Sequence, residues 1–358
     1  MGILHRVLSS RRSFLGVPIN AAAVWEMETR ILFRLGAMRK PAAVQWLATK
    51  ACDLSCPHCY TDAKRRTRDE LTTAEVKRLV IDELVSLGRP TLVVAGGEAL
   101  LRTDIDEVVT YAGKVGVPWS LHTHGRFVLE HERMFRGHVP VMVAVSLDGT
   151  RDVHDLFRGR SGSFDAALAA VRALKSWGVP EVVLGTTVTR DNADSLADIL
   201  PVVVRSGADS WGLHLVAPEG RGARDATLLP TDDQLRRVAA FARRKRSVFH
   251  IEMDNEWGSA GQDDVFYRDQ PFACGAGRFT CVIAPDGSVM PCTTVDPAEA
   301  QGNVRTTPLH IVWATRFAAF RKDSKQPAAD IHDCWLQTRN GRSCRNATFT
   351  SSVRDGRG

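Results

Sequence analysis

Between residues 41 and 254 the apolar positions follow two rhythms. Short runs of aliphatic and β-branched residues at 43–49, 91–95, 119–123, 141–147, 182–188 and 212–216 predict six strands. The stretches between them return an apolar residue every three or four positions, which predicts helices over 72–87, 104–115, 163–177, 194–205 and 231–245. Ser163 and Thr231 stand where N-caps belong. Strands alternating with helices predict an α/β fold, a parallel sheet covered by helices. The pattern leaves open a curved partial barrel and a flat doubly wound sheet. Either gathers its chemistry at the carboxyl ends of the strands. Polar and glycine residues cluster there: Cys52 to Tyr60 after strand one, Gly96-Gly97-Glu98 after strand two, and Thr123-His124-Gly125 after strand three. Ser146 and Asp148 end strand four, and Pro218-Glu219-Gly220-Arg221-Gly222 follows strand six.

Composition narrows the class. The 358 residues are 44% hydrophobic and 25% charged, which excludes collagen, coiled coil and wholesale disorder. No run of 18 apolar residues occurs, so no transmembrane helix is expected. The formal charge of +6 is concentrated at the ends. Residues 1–50 carry eight Lys/Arg against Glu26 and Glu28, and 334–358 carry five Arg against Asp355, so the stretch between them is net acidic. A nucleic-acid binder would show a basic stripe on its folded body, so nucleic acid is not an expected partner. Ser10-Arg11-Arg12-Ser13-Phe14-Leu15 resembles a twin-arginine export signal, but Glu26, Glu28 and Arg30 interrupt the apolar stretch it would need. A basic amphipathic extension on a cytoplasmic protein is the preferred reading.

The eight cysteines come in two groups, Cys52, Cys56 and Cys59, then Cys274, Cys281, Cys292, Cys334 and Cys344. Such clumps in a long chain favour metal or cluster ligation over disulfides. Three thiolates within eight residues can hold a cluster and leave one iron without a protein ligand. Zinc is the rival, with His58 as the only local fourth ligand. His122 and His124, two apart on one strand, form another candidate metal pair.

The spacing of Cys52, Cys56 and Cys59, with Tyr60 beside the last, resembles the radical S-adenosylmethionine superfamily. The resemblance implies a partial (β/α)6 TIM-like barrel and a 4Fe-4S cluster on these three cysteines. It implies that Gly96, Gly97 and Glu98 receive the amino group of S-adenosylmethionine, and that Ser146 and Arg158 hold its carboxylate. Ala99 stands where relatives carry proline, and His124 where they carry asparagine. Cys274, twelve residues, Gly287, four residues and Cys292 resemble the opening of a SPASM-type auxiliary-cluster domain, a small cysteine-rich α+β unit. Gly302-Asn303-Val304 and the stretch at 311–313 resemble its connecting segment. Cys334 and Cys344 match two of its last four cysteines, while Ile331 and Asn340 occupy the other two places. One auxiliary 4Fe-4S cluster is implied, on Cys274, Cys281, Cys292 and Cys344, with Cys334 in place of Cys281 in a shortened twitch arrangement. Free thiols are the plainer alternative. The expected division is an extension at 1–40, a core at 41–260 and an auxiliary-cluster domain at 261–358.

An enzyme of this kind takes an electron from an external reductant of flavodoxin or ferredoxin type and cleaves S-adenosylmethionine to a 5′-deoxyadenosyl radical. That radical removes a hydrogen atom from the substrate. The resemblance implies maturation of a ribosomally made peptide or a peptide-derived cofactor. The alternative is oxidation or decarboxylation of a tetrapyrrole or a sugar-type molecule, since 213–218 and Gly220-Arg221-Gly222 resemble the haem-modifying branch. About 40 residues precede strand one, too few for a winged-helix leader-recognition domain, so a separate leader-recognition protein is a candidate partner. The rival from another class is a non-enzymatic iron–sulfur or zinc protein, which leaves Gly96-Gly97-Glu98 unexplained. Asp254, Glu256 and Tyr267 lie near the expected domain junction without a role.

Overall fold

All six expected strands form, run parallel and pair in chain order in a computed structural model. The structure describes residues 13–14, 17–18, 40–254, 257, 266–269, 275–293, 295 and 297–317. The expectations for Cys274, Cys334, Cys344, Glu256 and most of the N-terminal extension lie outside the described residues. The strands are β1 (Ala43–Leu47), β2 (Thr91–Ala95), β3 (Trp119–Thr123), β4 (Met142–Ser146), β5 (Val182–Val188) and β6 (Ser210–Leu215). A short β7 (Ile251–Met253), which periodicity missed, continues the parallel order beside β6. A doubly wound sheet would reverse its order at the first strand. Here the order runs straight from β1 to β7, so the barrel-like alternative holds.

Helix α1 spans 73–86 with a π-helical middle at Val76–Ile81. Its start is a capping box, in which Glu75 N–H donates to Thr72 Oγ1 at 3.3 Å and Thr72 N–H to Glu75 Oε2 at 2.8 Å. Further helices are α2 (Ile105–Lys114), α3 (Glu132–Gly137), α4 (Arg151–Arg158), α5 (Ser163–Ser176), α6 (Leu196–Ser206) and α7 (Asp232–Lys245). Thr231 caps α7 as expected, again in a capping box. Ser163 does not cap α5. Gly162 holds that position at φ +81°, and the Asp155 carboxylate accepts from Gly162 and Phe164 N–H at 2.7 and 2.8 Å.

Alternation within the strands separates two faces. Val44, Trp46, Leu92, Val94, Leu121, Val143, Val145, Leu184, Trp211 and Leu213 join the helices in one continuous core. The residues between them, among them Ser120, His122, Ser146, Gly185, Gly212 and His214, face the other way, into the barrel interior. A small second cluster, Leu47, Ala95, Val282 and Met290, closes part of that interior.

The C-terminal segment joins this sheet rather than standing apart from it. Pro285-Asp286-Gly287 makes the expected turn between β8 (Thr280–Ile283) and β9 (Ser288–Met290), with Gly287 at φ +88°. Strand β8 pairs in parallel with β1, and β9 pairs with β10 (Gly302–Asn303), so the sheet has ten strands. Helix α8 (Leu309–Thr315) packs its Leu309, Val312 and Trp313 into the same core as the barrel. The sheet therefore runs across the boundary expected near 260.

Arg305 fastens this segment to α1. Its Nε and Nη2 donate to the two oxygens of Glu75 at 2.7 and 3.1 Å, and Nη1 donates to the Asp69 and Asp286 carbonyls. The Arg305 hydrogen bonds hold the Glu75 carboxyl at about 2, below its ordinary 4.5. A depressed carboxylate stabilises the fold above its ordinary range and loses that contribution as pH falls through about 2. Arg305→Ala is expected to cost about 1–2 kcal/mol at pH 7 by urea denaturation, and less toward pH 2, where only its hydrogen bonds to the Asp69 and Asp286 carbonyls remain to be lost.

Candidate active site

The loop after β1 carries Cys52, Cys56 and Cys59, and three neighbours shape it. Leu54 is buried at 1% exposure and anchors the loop's middle. Arg221, from the rim segment after β6, donates from Nε to the Cys56 carbonyl at 2.8 Å and from Nη1 to Ala63 O at 2.7 Å. Its backbone N–H donates to the Cys59 carbonyl at 2.9 Å. Gly220, at φ +54°, passes so close that a Cβ there would strike the Cys59 and Tyr60 carbonyls. Arg221 was placed on the rim by the sequence, but its work as a brace emerges only from the fold.

Donors reach two of the three sulfurs. Arg158 Nη1 lies 3.7 Å from Cys56 Sγ, and Ala63 N–H donates to Cys59 Sγ at 3.4 Å. Burial pushes the Cys56 thiol up, Arg158 pulls it down, and Cys52 and Cys59 push it up again by like charge. Three cysteine sulfurs on one loop, with donors reaching two of them, suit an iron–sulfur cluster. His58 does not resemble a zinc ligand. Its ring stacks on Phe157 at 4.6 Å, and burial with the nearby Arg158 lowers its imidazole to about 3.

Gly96-Gly97-Glu98 is laced to the start of the same loop. Gly97 N–H donates to Thr49 O at 2.7 Å and Glu98 N–H to Ala51 O at 2.8 Å. Gly96 adopts φ +129°, and a Cβ on Gly97 would run into the Ala51 carbonyl. Gly97→Ala is therefore expected to shift the cysteine loop, costing about 1–3 kcal/mol of stability in thermal unfolding and lowering reconstituted iron content. Glu98 is fully buried. Its Oε2 accepts from Thr123 Oγ1–H at 2.8 Å and His124 N–H at 3.1 Å, and its Oε1 from Leu100 N–H at 3.2 Å.

Ser146 ends β4 on the interior face, and its hydroxyl makes no hydrogen bond among the described residues. Arg158 ends α4, a helix the sequence did not predict. Its Nε and Nη2 both reach Asp148 Oδ2 at 2.5 Å. Asp148 is fully buried and also accepts from Thr187 N–H at 2.9 Å. Burial disfavours both charges, but the pair outweighs it, so Arg158 is raised and Asp148 lowered from their ordinary values. Asp148 and Arg158 were each singled out in the sequence, and their pairing was not.

The His122–His124 pair does not come together. His124 Nε2 lies 3.0 Å from Asp53 Oδ1 and 3.2 Å from Glu98 Oε2 without hydrogen-bond geometry to either, buried between the cysteine loop and the Gly-Gly-Glu segment. The ligating atoms of Cys52, Asp53 and His124 lie within 4.8 Å of one another. His122 instead faces His214, whose Nδ1 lies 3.1 Å from Asp254 Oδ2. Desolvation by the groups around it and the like charge of His214 lower the His122 imidazole, although its ring stays open to the barrel interior. Tyr267 is buried, and its carbonyl accepts from Met253 N–H at 3.0 Å.

Of the C-terminal cysteines, Cys281 and Cys292 are described. Cys281 sits on β8 in register with Val44, fully buried on the helix-facing side with Ile283. Cys292 follows β9, is partly exposed, and lies beyond Met290, which faces the interior.

Comparison with known proteins agrees with this geometry. Residues 46–200 match the radical SAM superfamily profile, and 274–335 match the SPASM iron–sulfur cluster-binding domain. The chain is 29% identical over 305 residues to the AdoMet-dependent heme synthase of Nitratidesulfovibrio vulgaris, covering 78% of this chain and 80% of that one. It is 32% identical over 279 residues to the mycofactocin maturase MftC of Mycobacterium ulcerans, covering 74% and 72%. Its fold matches Streptococcus suis SuiB bound to the precursor peptide SuiA at a TM-score of 0.65 and 13% identity, over 91% of this chain and 78% of that one. The chain belongs to the radical S-adenosylmethionine superfamily, as an enzyme that uses S-adenosylmethionine and iron–sulfur clusters and carries a SPASM domain.

Proposed function

We propose that this enzyme matures a ribosomally made peptide, with S-adenosylmethionine held at the β-strand rim and the peptide in the barrel interior. The observation that carries this reading is the character of that interior. Ser146 and Thr187 present hydroxyls there, and the His214 ring lies over the paired glycines Gly185 and Gly212, a polar lining suited to a peptide backbone. The likeness to the mycofactocin maturases supports it. A tetrapyrrole is the second reading, favoured by the imidazoles of His122 and His214 in the interior and by the haem-synthase relatives.

In this proposal Cys52, Cys56 and Cys59 hold a 4Fe-4S cluster, which with S-adenosylmethionine supplies one-electron reductive cleavage. Gly96, Gly97 and Glu98 receive the methionine amino group, Glu98 being oriented by the Thr123 hydroxyl and His124 N–H. Ser146 and the Arg158 fork receive its carboxylate, with Asp148 aiming the guanidinium. Arg221 and Leu54 keep the loop closed over the site. The core and auxiliary units divide near residue 260. A mycofactocin-type precursor peptide is expected to raise 5′-deoxyadenosine yield and to change mass, whereas an iron porphyrin does neither. The opposite result moves the assignment to the tetrapyrrole reading.

For the auxiliary cluster we propose Cys274, Cys292 and Cys344, completed by either Cys281 or Cys334. The placement of Cys281 in the helix-facing core supports Cys334. Cys281→Ala is then expected to retain its iron on reconstitution, and Cys292→Ala to lose about four irons per chain. Iron lost equally from both variants assigns Cys281 to the cluster.

A further inference from the structure

His122, His214 and Asp254 have no part in holding the cluster or S-adenosylmethionine, yet the fold brings them together in the barrel interior. The Asp254 backbone is fixed from two sides. Its N–H donates to Leu213 O at 3.0 Å, and its carbonyl accepts from Trp257 N–H at 3.2 Å. Trp257 is fully buried and donates from Nε1 to the same Leu213 carbonyl at 2.7 Å. The carboxylate is thereby carried to the end of β6, where Oδ2 lies 3.1 Å from His214 Nδ1. The other edge of that ring is bedded on two glycines. Gly185 and Gly212 are cross-strand partners on β5 and β6, and a Cβ on them would stand 3.3 and 3.4 Å from His214 Nε2. Neither glycine has a positive φ, so what the pair provides is room for the imidazole and not an unusual backbone. His122, on β3, feels like charge from His214 and opposite charge from Asp254, so the two imidazoles resist being protonated together.

A carboxylate at Nδ1 fixes the imidazole tautomer, makes Nε2 the atom that accepts a proton, and balances the imidazolium that forms. We propose that His214, oriented by Asp254 over Gly185 and Gly212, is the proton acceptor for the peptide bound in the barrel interior. The assignment rests on the peptide reading above. Once a hydrogen atom has left a substrate carbon, an O–H or N–H on that carbon becomes a stronger acid. Its bond to hydrogen breaks, the electron pair stays on the oxygen or nitrogen, and the proton goes to His214 Nε2. The imidazole becomes imidazolium beside Asp254, and the substrate radical becomes one charge more negative. The step moves one proton and no net electron. His214 is the catalytic residue of this step and Asp254 its positioning residue.

The test uses the full-length, anaerobically reconstituted protein with a mycofactocin-type precursor peptide, and measures 5′-deoxyadenosine and modified peptide in the same samples. In the parent protein the two rise together. In His214→Gln, 5′-deoxyadenosine is expected to stay within about threefold of the parent while modified peptide falls about a hundredfold or more, because radical formation precedes the proton transfer. Continued 5′-deoxyadenosine formation also reports that the variant is folded. Asp254→Asn is expected to lower kcat for modified peptide about tenfold and to leave KM for the peptide unchanged. Added imidazole is expected to raise the product yield of His214→Ala about tenfold, a rescue that a merely structural loss would not show. His310→Gln breaks an exposed imidazole–carboxylate contact with Glu83 on α8 and is expected to leave both products as in the parent. Full product from His214→Gln overturns the inference, as does an equal loss of both products without imidazole rescue, and in either case the parent's product keeps the peptide reading. A parent protein that leaves the peptide unmodified overturns both.

Discussion

Cys56→Ala is expected to abolish the site cluster: about four irons per chain are lost on anaerobic reconstitution, and no S-adenosylmethionine cleavage remains. The reason lies in the surroundings of that sulfur. Cys56 is 5% exposed, is raised by burial and by like charge from Cys52 and Cys59, and has the Arg158 guanidinium beside it. A thiolate desolvated this strongly is tolerable when a cluster shares its charge, and alanine removes one of three anchors. Because Leu54, Arg221 and Gly220 hold the loop independently of the sulfur, the variant should remain folded. Circular dichroism checks that point. A folded variant that keeps its full iron content would remove Cys56 from the ligand set.

The second large effect is expected at the Arg158–Asp148 pair. Both side chains are buried, at 8% and 0% exposure, and each satisfies the other. Asp148→Asn leaves the guanidinium without its counter-charge and should cost about 3–5 kcal/mol in denaturant unfolding. Arg158→Lys keeps a charge near Asp148 but loses the planar fork. If Arg158 holds the methionine carboxylate as proposed, Arg158→Lys weakens S-adenosylmethionine binding about tenfold or more in calorimetric titration of the reconstituted protein. Ser146→Ala, which removes one neutral hydrogen bond, should weaken it only a few-fold. Lost stability with unchanged affinity would confine Arg158 to holding the loop.

Much of this architecture was legible because it is local. Six β-branched runs with helical stretches between them fix the parallel sheet, since each pattern must bury one face of its own element. The cysteine triplet and Gly96-Gly97-Glu98 are contiguous, so their places on neighbouring strand ends follow directly. What escaped is non-local or short. Helix α4 has eight residues, exposes Leu156 and leaves His154 and Arg158 buried, so its pattern contradicts the usual apolar stripe. That helix nevertheless carries Arg158 to Asp148 and Cys56. The pairing of β8 with β1 joins residues more than 230 positions apart, and no periodicity encodes it. The same long-range event turned Cys281 toward the helices, because strand alternation, not cysteine spacing, decides which way a side chain points. Arg221 as a brace and the approach of His124 to Asp53 and Glu98 were equally invisible, each being defined by a neighbour from a distant part of the chain.

The most direct test of the account is nucleoside formation by the intact protein. The anaerobically reconstituted enzyme is reduced with dithionite, given S-adenosylmethionine, and its products are separated by chromatography. The account predicts 5′-deoxyadenosine that accumulates with time in the parent protein and is absent in Cys56→Ala. No 5′-deoxyadenosine from the parent protein, while its absorbance shows an intact and reducible cluster, would contradict it.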